Sequence, residues 1–241
     1  MAFLLPGRCS AQKILGSQDG CANLFPMHCI ITAGPTYEPL DEVRRLTSFS
    51  TGRLGTELAN YLVARGHRVS LLIGQQATYQ GELRAPWVET FTTTADLRRR
   101  LRGFGSERAD AVFHAAAVSD FMFGKIWCRS PQGELIEIKS GKIPSRQGPL
   151  TAELVPTPKI IAELRDWFPK ARLVGWKYEV DGDRAGVIRL AEEQIRQCRT
   201  DACVANGPAY GEGWGLATPE RCTHLEQAQE LFAALEEFIR R

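Results

Sequence analysis

The chain has 241 residues, 44% of them hydrophobic and 24% charged, with a formal net charge of +2. That length suits one α/β domain with a proper core, and the near-neutral balance gives no electrostatic pull toward nucleic acid or a membrane surface. The seven cysteines are widely spaced with no CxxC pair, which argues against a zinc site and a disulfide framework and for reduced thiols in the cytoplasm; no apolar run approaches the roughly 18–20 residues that span a bilayer.

The first 26 residues show no clear period, and their apolar run from Ala2 to Leu5 is too short for a signal-peptide core. They read as a disordered tail or a mis-assigned start, with Met27 the alternative first residue, and 27–241 as a single domain. HCIITAG (28–34) is a buried-strand run ending in Gly and Pro. A helix begins near Thr51, with Ser50 or Thr51 as N-cap and Leu54, Leu58 and Leu62 as its stripe, and stops at Arg65-Gly66. HRVSLLIG (67–74) is the next strand. Thr94 or Asp96 caps a helix running to about Phe104, whose basic cluster Arg98–Arg102 is a solvated helix face. A strand over 110–121 runs into small residues, and 122–157 is too long for a simple connection, so it is expected to fold as a hairpin, flap or oligomerisation arm. A helix at 157–168 with Pro158 in its first turn, a strand at 171–179, a helix at 183–199, a strand at 201–206, a weaker strand at 213–218 and an amphipathic C-terminal helix complete the chain.

Alternating strands and helices predict a Rossmann-like doubly wound, mostly parallel α/β sheet with a flap or hairpin insertion. Ligands in such sheets bind at the carboxyl ends of the strands, beside the switch in strand order. The segment from Ile30 to Gly55 is the leading candidate: a strand, a Gly/Pro turn, then hydroxyls and glycine opening onto a helix, which suits a phosphate. A nicotinamide reading is weak, because Gly34 is followed by Pro35 with no GxGxxG, and Tyr61 is followed four residues on by Arg65 rather than Lys. No Walker-type GxxxxGK[ST] is present.

The motifs ITAGPTYEPLDEVR, FSTGRLG, AAAVSDF, GKIPSRQGPL, VPTPKI, VGWKYE and VAN occur in this order between residues 31 and 206, in a match that covers roughly residues 28–240. Together they resemble the phosphopantothenate–cysteine ligase (phosphopantothenoylcysteine synthetase) family, in a free-standing form without the flavin decarboxylase domain. The resemblance implies a ligase of coenzyme A biosynthesis. A nucleoside triphosphate, CTP or ATP, activates 4′-phosphopantothenate with Mg²⁺ assisting, and cysteine displaces the nucleotide monophosphate. It further implies a homodimer, with 122–157 as flap or dimerisation insertion, and no nucleic-acid or membrane partner.

By the same resemblance Lys142 is the catalytic lysine on a mobile loop, and Ser50, Thr51 and Gly52 cradle the polyphosphate. Asp120 is a nucleotide contact, Val155, Pro156, Thr157 and Pro158 form the nucleotide-binding loop, Trp176 lies near the base, and Asn206 closes the last motif. His114 falls where bacterial members carry a glycine that touches the nucleotide. Ser48 stands where the family has an asparagine that handles the acyl intermediate, and Gln194 and Cys198 stand where CTP-using members have lysines. Two other readings remain open: a non-catalytic nucleotide- or phosphopantetheine-binding paralogue, and an NAD(P)-dependent reductase.

Overall fold

The computed structural model of the protein describes residues 25–105 and 108–241. Of the expected tail, positions up to 24 lie outside the described residues. Met27 is tied to the fold: its amide donates to His67 Nδ1 (3.2 Å) and its carbonyl accepts from the Arg68 amide (2.9 Å).

Strand β1 (His28–Ala33) is buried at every position, as a parallel strand covered on both faces must be. A hairpin of β2 (Tyr37–Pro39) and β3 (Arg45–Thr47) follows, then α1 (Arg53–Ala64) and β4 (Arg68–Gly74). Next come β5 (Trp87–Phe91), α2 (Thr94–Phe104) and β6 (Ala111–His114). An antiparallel arm of β7 (Phe121–Arg129), β8 (Leu135–Glu137) and β9 (Leu150–Pro156) interrupts the alternation. It resumes with α3 (Ile160–Trp167), β10 (Arg172–Tyr178), α4 (Arg184–Cys198) and β11 (Ala202–Asn206). The chain closes with β12 (Trp214–Ala217), β13 (Cys222–Leu225) and α5 (Ala228–Arg240).

The main sheet has eight strands in the order β13-β12-β11-β10-β6-β1-β4-β5. All pairs are parallel except those made by β12. The chain enters at β1, winds outward through β4 and β5, then crosses to β6 on the other side of β1. This is the doubly wound architecture that the alternation predicts, and the strand order reverses between β1 and β6. On one face Cys29, Ile31 and Ala33 pack with Leu58 of α1 and Leu231 of α5. On the other Ile30 packs with Leu97 of α2 and Ile160 of α3, while α4 buries Val187 and Ala191 against Cys203.

Several local expectations are corrected. The N-cap of α1 is Gly52 at φ 81, with no side-chain cap, rather than Ser50 or Thr51. The cap of α2 is Thr93, whose Oγ1 accepts from the Asp96 amide at 3.1 Å, displacing Thr94 and Asp96 from that role. Pro158 stands ahead of α3 rather than in its first turn, because β9 keeps the chain extended through Pro156. The strand expected over 110–121 ends at His114, and Phe121 already belongs to the arm. The short strands β2, β3, β5 and β13 carry too few residues for a readable period. The basic face of α2 is compensated locally, Arg98 by Glu163 (2.7 Å) and Arg100 by Glu89 (2.8 Å).

At the amino end of the sheet, Glu236 of α5 is a buried hub. It accepts hydrogen bonds from Tyr61 (3.2 Å), Arg65 (3.0 Å), His67 (3.2 Å) and Arg240 (2.9 Å). Burial pushes the His67 imidazole below its usual value. Burial works to raise the Glu236 carboxyl, but the donors Arg240 and His67 outweigh it and hold the group low. Glu236→Ala leaves these donors without their shared acceptor, so urea unfolding at pH 7 should show a loss on the order of 3 kcal/mol. A loss below about 1 kcal/mol, the scale of a surface pair, would show that the hub does not hold α5 in place.

Candidate functional site at the strand switch

A cleft of about 400 Å³ opens at the carboxyl ends of the strands, between Gly34 after β1, Ala115 after β6 and Asn206 at the end of β11. One corner of it is built from glycines. Gly34 (φ 76) turns the chain off β1, and a Cβ there would lie 2.9 Å from Ala77 Cβ. Gly52 (φ 81) faces Gly34, with its Cβ position 3.3 Å from the Gly34 Cα. Gly55 lets α1 rest on β1, since a Cβ would stand 2.7 Å from Ala33 Cβ. A tight turn, a close approach and a helix–strand contact are the three roles that glycines play in a dinucleotide fingerprint. Here the β2–β3 hairpin separates the first role from the other two, so no contiguous motif exists to be read.

The helix start supplies donors. The first i→i−4 bond of α1 runs from the Thr56 amide to the Gly52 carbonyl (3.1 Å), leaving the Leu54 and Gly55 amides without intrahelical acceptors at residues that line the cleft. Ser50, Thr51 and Gly52 line it. The Thr51 carbonyl accepts from the Thr78 and Tyr79 amides (3.1 and 3.0 Å), which latches the loop after β4 to this corner. Asn206 lines the same cleft, and its Oδ1 is buried without a hydrogen-bond partner among the described residues. An unpaired buried acceptor costs free energy unless a ligand meets it.

The other expected residues fall into separate groups. Asp120 and the 155–158 loop come together: the Thr157 amide donates to the Asp120 carbonyl (2.9 Å), and Phe121 pairs with Pro156. The Asp120 carboxylate bonds Lys159. Lys142 is exposed on a loop packed against the turn between β2 and β3, where Ile143 donates its amide to Asp41 (3.1 Å) and Glu42 donates to the Gly141 carbonyl (2.9 Å). Lys142 is not among the residues lining the cleft. Ser48 is exposed on the approach to the cradle, its Oγ 3.5 Å from the Ser50 amide. Trp176 is half-buried against the core, its Nε1 buried and without a partner among the described residues, and the tryptophan that lines the cleft is Trp214. Arg53, Glu57 and Trp214 are cleft residues that the sequence reading missed. The spacing Gly52-x-x-Gly55 on α1 is the signal that would have drawn in Arg53 and Glu57.

His114 lies on β6 beneath the cleft, its Nδ1 2.9 Å from Thr32 Oγ1, which also accepts the Ala116 amide at 3.1 Å. Burial pushes its imidazole down from 6.5 to about 4. The unfolded chain therefore takes up this proton first as pH falls, so the stability is complete above the unfolded value and is lost on descending toward the folded one. Between pH 7.5 and 5 the wild-type protein should lose about 2 kcal/mol that His114→Gln keeps, read by urea unfolding at both pH values. Equal losses in the two proteins would show that His114 titrates normally.

A sheet that reverses its order beside a glycine-built helix start defines a doubly wound α/β domain with its cleft at the strand switch. The chain belongs to the DNA/pantothenate metabolism flavoprotein C-terminal domain family, which it matches over residues 24–237. It is 33% identical over 181 residues to the coenzyme A biosynthesis bifunctional protein CoaBC of Thermococcus kodakarensis, covering 73% of this chain and 40% of that protein. It thus spans less than half the length of that relative. It is 28% identical to the phosphopantothenate–cysteine ligase of Mus musculus, over 73% of this chain and 71% of that one. Among solved structures, the DNA/pantothenate metabolism flavoprotein of Streptococcus pneumoniae superposes with a TM-score of 0.76 at 23% identity, covering 89% of this chain and 98% of that one. At that identity the likeness is one of fold. Among the described residues no three His, Cys, Asp or Glu side chains gather to hold a metal ion, and no helix is long and apolar enough to cross a membrane.

Proposed function

We propose that this chain is a ligase that joins 4′-phosphopantothenate and cysteine in coenzyme A biosynthesis. The observation that carries the reading is the cleft of a family member lined both by Leu54 and Gly55, whose amides lack intrahelical acceptors, and by Asn206, whose buried Oδ1 has no partner among the described residues. The first bond forms between a carboxylate oxygen of phosphopantothenate and the α-phosphorus of CTP or ATP, and pyrophosphate leaves. The cysteine amine then attacks the acyl carbon, the amide forms, a proton is released, and the nucleotide monophosphate departs.

In this reading Ser50, Thr51, Gly52 and the first amides of α1 bind phosphate, because donors fixed in advance need no reorganisation as charge develops. Lys142 brings a cation to the activated carboxylate from its exposed loop, Ser48 orients the acyl group, and Asp120 with the 155–158 loop contacts the nucleotide. Mg²⁺ is bound in such sites through one or two carboxylates and the substrate's own phosphates rather than a full protein cage, and Asp120, whose carboxylate pairs with Lys159, is the carboxylate that this reading would offer it. It would shield the phosphate charge; the chain's own residues bind and orient. The reading includes a cytoplasmic homodimer joined through the 122–157 arm, which the exposed Leu135, Ile136 and Leu154 of that arm support.

Mixing the protein with phosphopantothenate, cysteine, Mg²⁺ and either ATP or CTP should release pyrophosphate and form phosphopantothenoylcysteine. No release with either nucleotide overturns the ligase reading. Lys142→Ala should lower kcat by about 10²–10³ if its cation acts on the developing charge. Near-normal turnover in that variant removes Lys142 from the mechanism. Ser48→Asn should form amide at the same rate or faster, and a slower variant would mean that Ser48 has its own role.

A further inference from the structure

We propose that Arg53 is a phosphate-binding residue aimed by Glu57 and Tyr79, so that the guanidinium works there and an ammonium would not. The inference rests on the reading that phosphorylated ligands occupy the cleft. Arg53 is the first residue of α1 and Glu57 lies one turn on; both line the cleft beside Ser50, Thr51 and Gly52. Arg53 Nε donates to Glu57 Oε1 at 2.8 Å, and the Tyr79 hydroxyl donates to the same oxygen at 3.2 Å. Tyr79 is itself held to the corner through its amide bond to the Thr51 carbonyl (3.0 Å). The guanidinium is thus gripped by one edge only. Its terminal amino groups have no protein partner among the described residues, and the side chain is 69% exposed against 25% for Glu57.

An i, i+4 ion pair on a helix surface is ordinary and weak. Three features set this pair apart: both members line the cleft, a third side chain from another loop fixes the carboxylate, and Arg53 shares the cleft with Leu54 and Gly55, whose amides lack intrahelical acceptors. A carboxylate in an anion cleft repels the ligand unless its charge is engaged, and here Arg53 engages it without using up its own donors. Arginine can do this because its planar fork bonds through two separate edges. Lysine at the same place is a point charge on a flexible stem, which Glu57 would draw away from the ligand.

The phosphate could belong to the nucleotide or to phosphopantothenate, so calorimetric titrations with ATP, CTP, inorganic pyrophosphate and 4′-phosphopantothenate distinguish the two. Arg53→Ala should weaken binding of the ligand concerned about tenfold. Arg53→Lys should weaken it nearly as much, and Arg53→Lys with Glu57→Gln should recover most of the loss. Arg53→Ala with Glu57→Gln should not recover, which separates aiming from simple removal of a negative charge. Thermal unfolding midpoints should stay at the wild-type value throughout, as expected for an exposed side chain. If Arg53→Lys binds like wild type, or the double variant with lysine shows no recovery, the proposal is overturned. If the wild-type protein binds none of the four probes, it is the reading of the cleft as a phosphate site that fails.

Discussion

Three loops meet at a point with no space for another methyl group, and the working end of the molecule is arranged around that contact. Gly34, Gly52 and Ala77 converge from the ends of β1, α1 and the loop after β4, and a Cβ on Gly74 would stand 2.2 Å from the Pro35 carbonyl. Positive φ at Gly34 and Gly52 turns both backbones inward, a conformation that side-chain-bearing residues rarely take. Because α1 presses onto β1 at Gly55, its amino terminus is carried to the carboxyl end of the sheet with its first amides open. Every later feature of the cleft depends on that placement.

The rest of the structure keeps this junction rigid and leaves its surroundings accessible. The Thr51 carbonyl is held by two amides of the loop after β4, and Thr36 Oγ1 accepts from the Ser119 amide (2.8 Å), tying the loops after β1 and β6 together. The β2–β3 turn docks the loop of Lys142 through Asp41, whose carboxyl the Arg44 guanidinium holds below its usual range. Far from the cleft, Glu236 gathers its donors at the amino end of the sheet and fastens α5 to the end of α1. Polar strength is therefore spent at loop junctions, while the sheet between them is held by apolar packing on both faces.

The long elements were readable because their physics is local. Burial on both faces makes a parallel strand a continuous apolar run, and a helix facing a sheet shows its stripe at i, i+4 and i+8, as Leu54, Leu58 and Leu62 do. The expected cradle at Ser50, Thr51 and Gly52 also lines the cleft. Trp214, by contrast, gave no warning, because its place beside Asn206 follows from β12 pairing antiparallel with β11. The cap of α1 differs from the hydroxyl expected for a related reason: hydroxyls cap helices by default, and only the close approach of Gly34 demands a left-handed residue at position 52.

By itself the sequence determined the α/β alternation, the family motifs and the corner where strand, glycine turn and helix start meet, since each is written in neighbouring residues. The tertiary structure alone decided that the glycines at 34, 52 and 55 act as one unit, that Asn206 keeps an unpaired oxygen in the cleft, and that Arg53 is held by a single edge. These depend on which groups remain unsatisfied after packing. A chain read residue by residue names its donors and acceptors, but only the folded arrangement shows which of them have no partner.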